Sequence, residues 1–296
     1  MRKAILLFSL SLCWLFSLGQ VNPDYTSKVE LWHKNRIADL KKPGGWLNLE
    51  GLFWLHKGAN SFGRSPQNDC VYANAAFPQL LGHFDLAGDS VTWTNASNIV
   101  VNCNNQPIID SFPITIFKEK TPPVIMDWAH FRWNIIKRED KIGVRFRNLK
   151  AKNLLHFKGI ERFAVDPKWC VQAKLSAPIQ DVLMITNVLG QSTPTKNAGK
   201  LQFELLGKSY TLDVIDEGGP NLFIAFADLS SGKTTYGAGR FIEVARPDAA
   251  GNTQIDFNLA YNPPCAFTPF ATCPLPPPQN RLAVEITAGE KNYGHH

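Results

Sequence analysis

The feature that most constrains the fold is a proline-rich tract near the C-terminus. Seven of the chain's twenty prolines lie between Pro263 and Pro278. Proline fixes the backbone angle φ and has no N–H to donate, so this tract can continue neither a helix nor a central strand. Side chains and turns must hold its backbone instead. We therefore expect a rigid, shaped loop that forms one wall of a site.

Most of the remaining chain consists of short segments in which apolar and polar residues alternate, the pattern of strands with one buried face. One such segment carries Phe131, Trp133 and Ile135 on one face and Arg132 and Asn134 on the other. The predicted fold class is all-β, with two packed β-rich lobes: an N-terminal sandwich and a C-terminal barrel or sandwich. Apolar spacing over residues 24–40 adds one N-terminal helix.

The chain divides into four predicted segments. They are 1–19, a signal peptide; 20–45, the N-terminal helix and a linker; 46–120, the first β-sandwich; and 121–296, a C-terminal β domain that contains the proline-rich loop. The signal peptide is indicated by Arg2 and Lys3 ahead of an apolar stretch, with a small-residue cleavage site that ends at Gly19. Cleavage there predicts a periplasmic or secreted protein.

Charge and hydropathy exclude two classes of partner. The formal net charge is +6, and basic and acidic residues are interspersed rather than concentrated on one segment. A nucleic-acid-binding domain collects its basic residues on one face, so no nucleic-acid partner is predicted. After the signal peptide, no apolar run reaches the ~18 residues of a membrane span. A small polar or anionic ligand and an envelope protein remain as candidate partners.

Cysteine spacing predicts a disulfide inside the tract. An oxidising compartment favours disulfides, and Cys265 and Cys273 are the best-placed pair. Cys70 with Cys103 is a second possible pair, and the odd count leaves one thiol over. No metal site is predicted, because the tract has neither a Cys-x-x-Cys spacing nor a histidine.

No motif predicts a cofactor. The segment from Ser231 to Thr234 resembles the end of a phosphate-binding loop, but it lacks the first glycine of that motif and leads into a strand. Gly-x-Ser-x-Gly and His-Glu-x-x-His motifs are both missing from the sequence. Whether the protein is an enzyme is left open at this point.

Three segments near the C-terminus carry a family resemblance: residues 256–281, Thr-Tyr-Gly-Ala-Gly-Arg at 235–240, and Ala-Gly-Glu-Lys-Asn-Tyr at 288–293. The chain strongly resembles the domain-of-unknown-function family 1684, over nearly the whole mature sequence from residue 43 to residue 291. The resemblance implies a shared architecture and a shared site, and it supplies no activity.

Residues 46–110 show a second resemblance, to the opening of a forkhead-associated β-sandwich. Gly63 and Arg64 match landmarks of that family, whose arginine and a downstream serine grip phosphothreonine. His83 is present here, but the serine of the family's Ser-x-x-His element is absent. The resemblance therefore implies a degenerate sandwich that acts as a scaffold.

A cluster of polar and aromatic residues around the tract is the candidate ligand site. A pocket needs convergent polar groups on an apolar wall, and two arginines there could clamp a carboxylate or phosphate. The candidate ligand-binding residues are Tyr236, Arg240, Asp256, Asn258, Tyr261, Asn262, Arg281 and Glu290. Asp256 or Glu290 could act as an acid or base if burial raised its pKa.

The same residues have a structural interpretation. A buried loop without strand partners must satisfy its backbone groups through side chains. On that interpretation Arg240 pairs with Asp256, Arg281 pairs with Glu290, and the disulfide fixes the loop. A further basic set, Arg132, Arg145 and Arg147, is expected to lie on a solvated strand face.

Two functional hypotheses follow from the sequence. The first is an exported protein that binds a small polar or anionic ligand at the C-terminal site, with hydrolysis left open. The alternative is a non-enzymatic cell-envelope protein-interaction module that uses loops of the first sandwich, with the C-terminal tract as structural support.

Overall fold

The protein consists of two β-rich lobes and one long helix. A computed structural model describes residues 23–114 and 122–294. The predicted signal peptide lies outside the described residues. The all-β class with a single substantial helix is confirmed over the described part of the chain. No described helix is long and apolar enough to cross a membrane.

The first lobe is a sandwich of two sheets. Its strands are β1 (Leu49–Trp54), β2 (Gly58–Gly63), β3 (Cys70–Val71), β4 (Gly82–Ala87), β5 (Ser90–Asn95), β6 (Asn102–Cys103), β7 (Gln106–Pro107), β8 (Ser111–Ile114), β9 (Met126–Trp128), β10 (Phe131–Arg138) and β11 (Lys141–Asn148). One sheet has the order β1-β11-β10-β9-β6-β7 and the other the order β3-β2-β4-β5-β8.

Aromatic side chains fill the space between these two sheets. Phe62 and Phe84 from the second sheet share one core with Phe131, Trp133 and Phe146 from the first. The alternation in β10 therefore works as predicted, since every second side chain points into this core. The core also draws on residues from both sides of position 120, where the sequence places a domain boundary.

The second lobe is built on a strongly curved sheet. Its strands are β12 (Cys170–Ser176), β13 (Val182–Thr186), β14 (Ser192–Leu205), β15 (Lys208–Ile215), β16 (Asn221–Phe226), β17 (Arg240–Ala245) and β18 (Asn252–Asp256). The order is β17-β16-β15-β14-β12-β18, and β13 pairs with β14. The two edge strands meet where Thr253 Oγ1 donates to the Ala245 carbonyl at 2.9 Å, so the sheet nearly closes into a barrel.

Helix α1 (Pro23–Lys41) confirms the helix predicted over residues 24–40, and a short helix α2 (Lys152–Leu155) follows the first lobe. The buried end of α1 packs through Leu40 against Ile160 and Phe267 of the second lobe. Apolar spacing places Leu40 on this face. After the helix, Gly45 passes so close to the Leu40 carbonyl that a Cβ there would clash with it.

The proline-rich tract forms neither a regular helix nor a sheet strand, as expected. It contains short 3-10 turns at Pro264–Ala266 and Pro278–Asn280, each with a proline in its first turn. It also crosses to the first lobe, where Thr268 Oγ1 donates to the carbonyl of Leu49 at 2.9 Å. The tract therefore forms a wall between the two lobes.

The polar face of β10 and β11 is buried, and the prediction of a solvated face is wrong. Antiparallel register places Arg145 opposite Asn134 and Arg147 opposite Arg132, so these side chains share one face. Arg147 and Asn134 are only 7% and 8% exposed. Alternation along a strand separates two faces, but it does not reveal that a second lobe covers the polar one.

Candidate functional site

Arg240 acts as a buried anchor for the C-terminal residues. Its Nη2 donates to Asp228 Oδ2 at 2.9 Å and to the Ile286 carbonyl at 3.0 Å, and its Nη1 donates to the Ala288 carbonyl. The side chains of Arg240 and Asp228 are both 0% exposed. Burial lowers the pKa of Arg240, while the Asp228 carboxylate raises it. No part of this guanidinium faces solvent, so it cannot clamp an incoming ligand.

The ion pairs expected from the structural interpretation are formed with other partners. Arg240 pairs with Asp228 rather than Asp256, and Glu290 pairs with Arg36 rather than Arg281. Both expected pairs are wrong, because the actual partners approach from segments that are close only in the fold. The Arg281 side chain is exposed and makes no ion pair among the described residues.

Glu290 and Asn262 are in direct contact inside a buried network. The Asn262 N–H donates to Glu290 Oε2 at 2.7 Å, and Asn262 Nδ2 donates to the Lys291 carbonyl at 2.7 Å. Arg36 reaches in from helix α1, with its Nε 3.5 Å from Glu290 Oε1 and its Nη2 2.8 Å from the Asn262 carbonyl. Burial raises the pKa of Glu290, although Arg36 opposes that shift. At 1% exposure, Glu290 cannot reach a ligand in solvent.

Asp256 and Asn258 form a second network, which ties α1 to the end of β18. Asp256 Oδ2 accepts from the Tyr25 hydroxyl at 2.8 Å, and Asp256 Oδ1 accepts from the Asn258 N–H at 3.0 Å. Asn258 Nδ2 also donates to the Asp166 carbonyl at 3.0 Å. Asp256 thus caps the 3-10 turn that follows it, a common role for aspartate.

The remaining predicted residues, Tyr236 and Tyr261, pack in two different apolar clusters. Tyr236 packs against the Leu40 cluster, and burial raises its pKa. Tyr261 borders a cavity of about 520 Å³ beside α1, where the Arg36 guanidinium lies 4.7 Å from its ring centre. The structure therefore distributes the predicted cluster over several networks and does not assemble it into one pocket.

The disulfide predicted within the tract is present. Cys265 and Cys273 are bonded, with their Cα atoms 6.2 Å apart. The alternative pair does not form, since Cys70 and Cys103 are both free and buried, and Cys170 is free as well. Burial raises the pKa of Cys70 to about 12 and that of Cys170 to about 11, which keeps both thiols protonated and unreactive.

The three arginines Arg138, Arg145 and Arg147, with Asn134 beside them, form what we call the interlobe arginine face. Strands β10 and β11 supply these residues, and the proline-rich tract lies against them. Arg138 Nε donates to Thr272 Oγ1 of the tract at 3.2 Å. Arg147 Nη1 donates to Asn134 Oδ1 at 3.0 Å. None of the three arginines contacts a carboxylate among the described residues.

Arg145 is the least satisfied of these side chains. It makes no hydrogen bond to any described residue, and its Nε is buried without a partner. Its guanidinium lies 5.1 Å from the ring centre of Trp46, which leaves the five N–H groups free to bind something else. Burial, together with the charges of Arg138 and Arg147, lowers the pKa of Arg145 to about 10.

Sequence reasoning missed the roles of Asp228, Arg36 and Arg138. Asp228 and Arg36 lie far from the proline-rich tract in sequence, and no local motif marks them as its partners. Arg138 lies six positions after Arg132, an even offset, so alternation places the two on one face of β10. That spacing was the signal that could have added Arg138 to the basic set.

Comparison with known proteins identifies the family but no activity. Residues 155–291 match the model of the family described as protein of unknown function (DUF1684), and the chain belongs to this family. The matched segment contains the whole second lobe. It is shorter than the range predicted from the sequence, which began at residue 43. The forkhead-associated resemblance of the first lobe is not confirmed. No curated protein matches the chain.

One solved structure with a significant match also comes from an uncharacterized protein. It is the solution NMR structure of a protein from Haloarcula marismortui, with 30% sequence identity to this chain. The alignment covers 47% of this chain and 80% of that protein, with a TM-score of 0.40.

Proposed function

We propose that this protein binds a small anionic ligand between its two lobes, at the interlobe arginine face. The observation that carries the proposal is the Arg145 guanidinium, which is partly buried and has neither a carboxylate nor a hydrogen-bond acceptor among the described residues. Removing a guanidinium from water costs free energy unless a partner restores its interactions. An anionic ligand would be that partner.

Three other arginines support Arg145 as the ligand-binding residue, because each of them already has a carboxylate partner. Arg132, on the same face, is neutralised by Asp127, with Nε 2.6 Å from Oδ1. Arg240 is neutralised by Asp228, and Arg36 lies next to Glu290. The chain therefore supplies a carboxylate to Arg36, Arg132 and Arg240, whereas the arginines of the interlobe face have none among the described residues.

The cavity beside α1 is a weaker candidate for the same role. Its charged side chains already have partners within the protein: Arg36 has Glu290, and Asp39 has Lys42. Glu243 accepts a hydrogen bond from Asn221 Nδ2 at 3.0 Å. A ligand there would compete with existing contacts, whereas a ligand at Arg145 would satisfy groups that have no contact.

Replacing Arg145 with alanine is expected to weaken the binding of inorganic phosphate by about ten- to a hundredfold. A hydrogen bond to a charged group contributes about 1.5–3 kcal/mol, and each 1.4 kcal/mol corresponds to a factor of ten in affinity. Isothermal titration calorimetry at constant ionic strength measures the effect. Arg132→Ala combined with Asp127→Asn is the matched control, because it removes a neutralised arginine–carboxylate pair from the same face and leaves the net charge unchanged.

A second measurement separates binding from a structural role. Arg145→Met keeps much of the apolar stem against Trp46 and removes a buried charge that has no partner. Its free energy of unfolding without ligand should therefore equal or exceed that of the wild type. Phosphate binding unchanged in Arg145→Ala, or a large loss of stability in Arg145→Met, would contradict the proposed site.

We also propose that the protein works outside the cytoplasm. The basic residues and apolar stretch of residues 1–19 support export, and so does the Cys265–Cys273 disulfide, since disulfides persist in oxidising compartments. Intact-mass analysis of protein expressed from the full sequence should give a chain that begins near Gln20. A mature mass that still includes residues 1–19 would contradict export by this route.

A further inference from the structure

The interlobe arginine face holds more positive charge than one singly charged ligand can balance. Arg138, Arg145 and Arg147 lie on one face of two neighbouring strands, and no described carboxylate contacts any of them. Asp127, the carboxylate of β9 opposite β10, is already bonded to Arg132. The proline-rich tract that covers the face contributes no acidic residue between Asn262 and Asn280.

These positive charges act on one another. Burial lowers the pKa of both Arg145 and Arg147 to about 10, and the charges of neighbouring arginines push the two pKa values in the same direction. Like charges on neighbouring side chains repel, and the repulsion is stronger in a partly buried setting because water screens it less. A ligand with two negative charges relieves more of this repulsion than a ligand with one.

The available hydrogen-bond donors also exceed what a carboxylate can accept from one direction. Arg145 makes no hydrogen bond to any described residue, so its donors are unused. Arg147 contributes charge rather than free donors, because its Nη1 and Nη2 donate to Asn134 Oδ1 and to the Gly44 carbonyl and its Nε is buried. On Arg138, Nε and Nη1 already donate, to Thr272 and to the Lys137 carbonyl, which leaves Nη2. Free donors on Arg145 and Arg138, with the charge of Arg147 beside them, suit a tetrahedral group with three terminal oxygens, which arginine forks bind in pairs.

We propose that the ligand of this face carries a doubly charged tetrahedral oxyanion, of the phosphate monoester or sulfate type, and that the site selects it over a carboxylate. This inference rests on the proposed function and gives that function a ligand class. The oxyanion group is the part that the arginines recognise, whether it is a free ion or one end of a larger molecule.

Within residues 23–114 and 122–294, the charged groups that face the three arginines do not include a histidine. From β10 and β11 they are Arg132 and Lys141, and from β9 Asp127. His130 lies in the turn before β10, and its charged neighbours are Lys150 and Glu50 rather than the three arginines. Histidine is the side chain with an unperturbed pKa between 5 and 8. A change of pH from 5.0 to 7.5 therefore changes the charge of a phosphate probe more than it changes the charge of this face.

Calorimetric titration of the full protein with glycerol phosphate, inorganic phosphate, sulfate and acetate tests the ligand class. A phosphate monoester has a second pKa near 6, so its doubly charged fraction rises about tenfold between pH 5.0 and 7.5. Its affinity should rise by about the same factor. Sulfate stays doubly charged, so its affinity should change less than about twofold, which also controls for titration of the protein.

Acetate should bind at least about tenfold more weakly than sulfate at pH 7.5, which corresponds to 1.4 kcal/mol or more. Acetate affinity equal to that of sulfate, or a glycerol phosphate affinity that does not change with pH, would overturn the ligand class while leaving an anion site in place. Binding of all four probes unaffected by Arg145→Ala would overturn the proposed function itself. Glycerol phosphate binding much more tightly than inorganic phosphate would indicate that the oxyanion is one end of a larger ligand.

Discussion

Arg240→Ala is expected to lower the free energy of unfolding by about 3–5 kcal/mol, because it leaves the Asp228 carboxylate buried without its counter-ion. The variant also removes the donors that hold the Ile286 and Ala288 carbonyls. Those carbonyls belong to the last segment of the chain, which Arg240 fixes against the second lobe. Urea unfolding monitored by tryptophan fluorescence measures the loss.

Two further variants show that the loss comes from burial of the pair. Arg246→Ala removes an arginine that also bonds a carboxylate and a carbonyl, those of Asp216 and Gly219, but its side chain is 44% exposed. Exposed pairs contribute about 0–1 kcal/mol, so this control should unfold almost as the wild type does. Adding Asp228→Asn to Arg240→Ala should recover part of the stability, since the isolated buried charge is then gone. Equal losses in Arg240→Ala and Arg246→Ala would contradict the anchoring role.

Asn280→Ala should cost about 3 kcal/mol, the second largest effect. Asn280 Oδ1 accepts from the Asp213 N–H at 2.7 Å, and its Nδ2 donates to the carbonyls of Asp213 and Ala225 at 2.9 and 3.0 Å. The residue is 1% exposed, and each buried backbone group left unpaired costs about 1–3 kcal/mol. Thermal and urea unfolding of the same sample measure this loss.

Asn221→Ala is the control for Asn280→Ala. Asn221 is exposed, and its side chain donates one hydrogen bond, to Glu243, so its removal should change stability by less than about 0.5 kcal/mol. Asn280→Asp keeps the acceptor for the Asp213 N–H but turns an oxygen without a counter-ion toward the two carbonyls, so it should lose at least as much stability as Asn280→Ala. Full stability of Asn280→Ala would show that the tract is held at another point.

The fold class was predictable because it depends on local patterns. Alternation identified the buried side chains of β10, apolar spacing identified α1, and short spacing within a rigid loop identified the Cys265–Cys273 disulfide. Each of these features is encoded within a few neighbouring residues. The local run of prolines also predicted that the tract lies outside regular helices and strands, and the structure has only short 3-10 turns there.

The site was predictable only in part, because side-chain partners depend on which distant segments meet. Arg240 has acidic residues on both sides in sequence, and nothing local favours Asp228 over Asp256. The burial of Arg145 depends on how the tract lies against the first lobe, which strand alternation does not specify. The sequence correctly singled out the tract as a wall, but it placed the candidate site among residues that hold that wall together.

The most direct test of the anion site is an NMR titration of the arginine Nε–Hε groups of ¹⁵N-labelled protein with sulfate. The Nε–Hε signals of Arg145 and Arg147 should shift with a single saturating binding curve, because both side chains belong to the proposed site and neither has a carboxylate partner among the described residues. The Arg240 signal should stay unchanged: its Nε also lacks an acceptor, but its side chain is 0% exposed and already paired with Asp228. A saturating shift at Arg240 with none at Arg145 would contradict the account and return the ligand site to the C-terminal cluster.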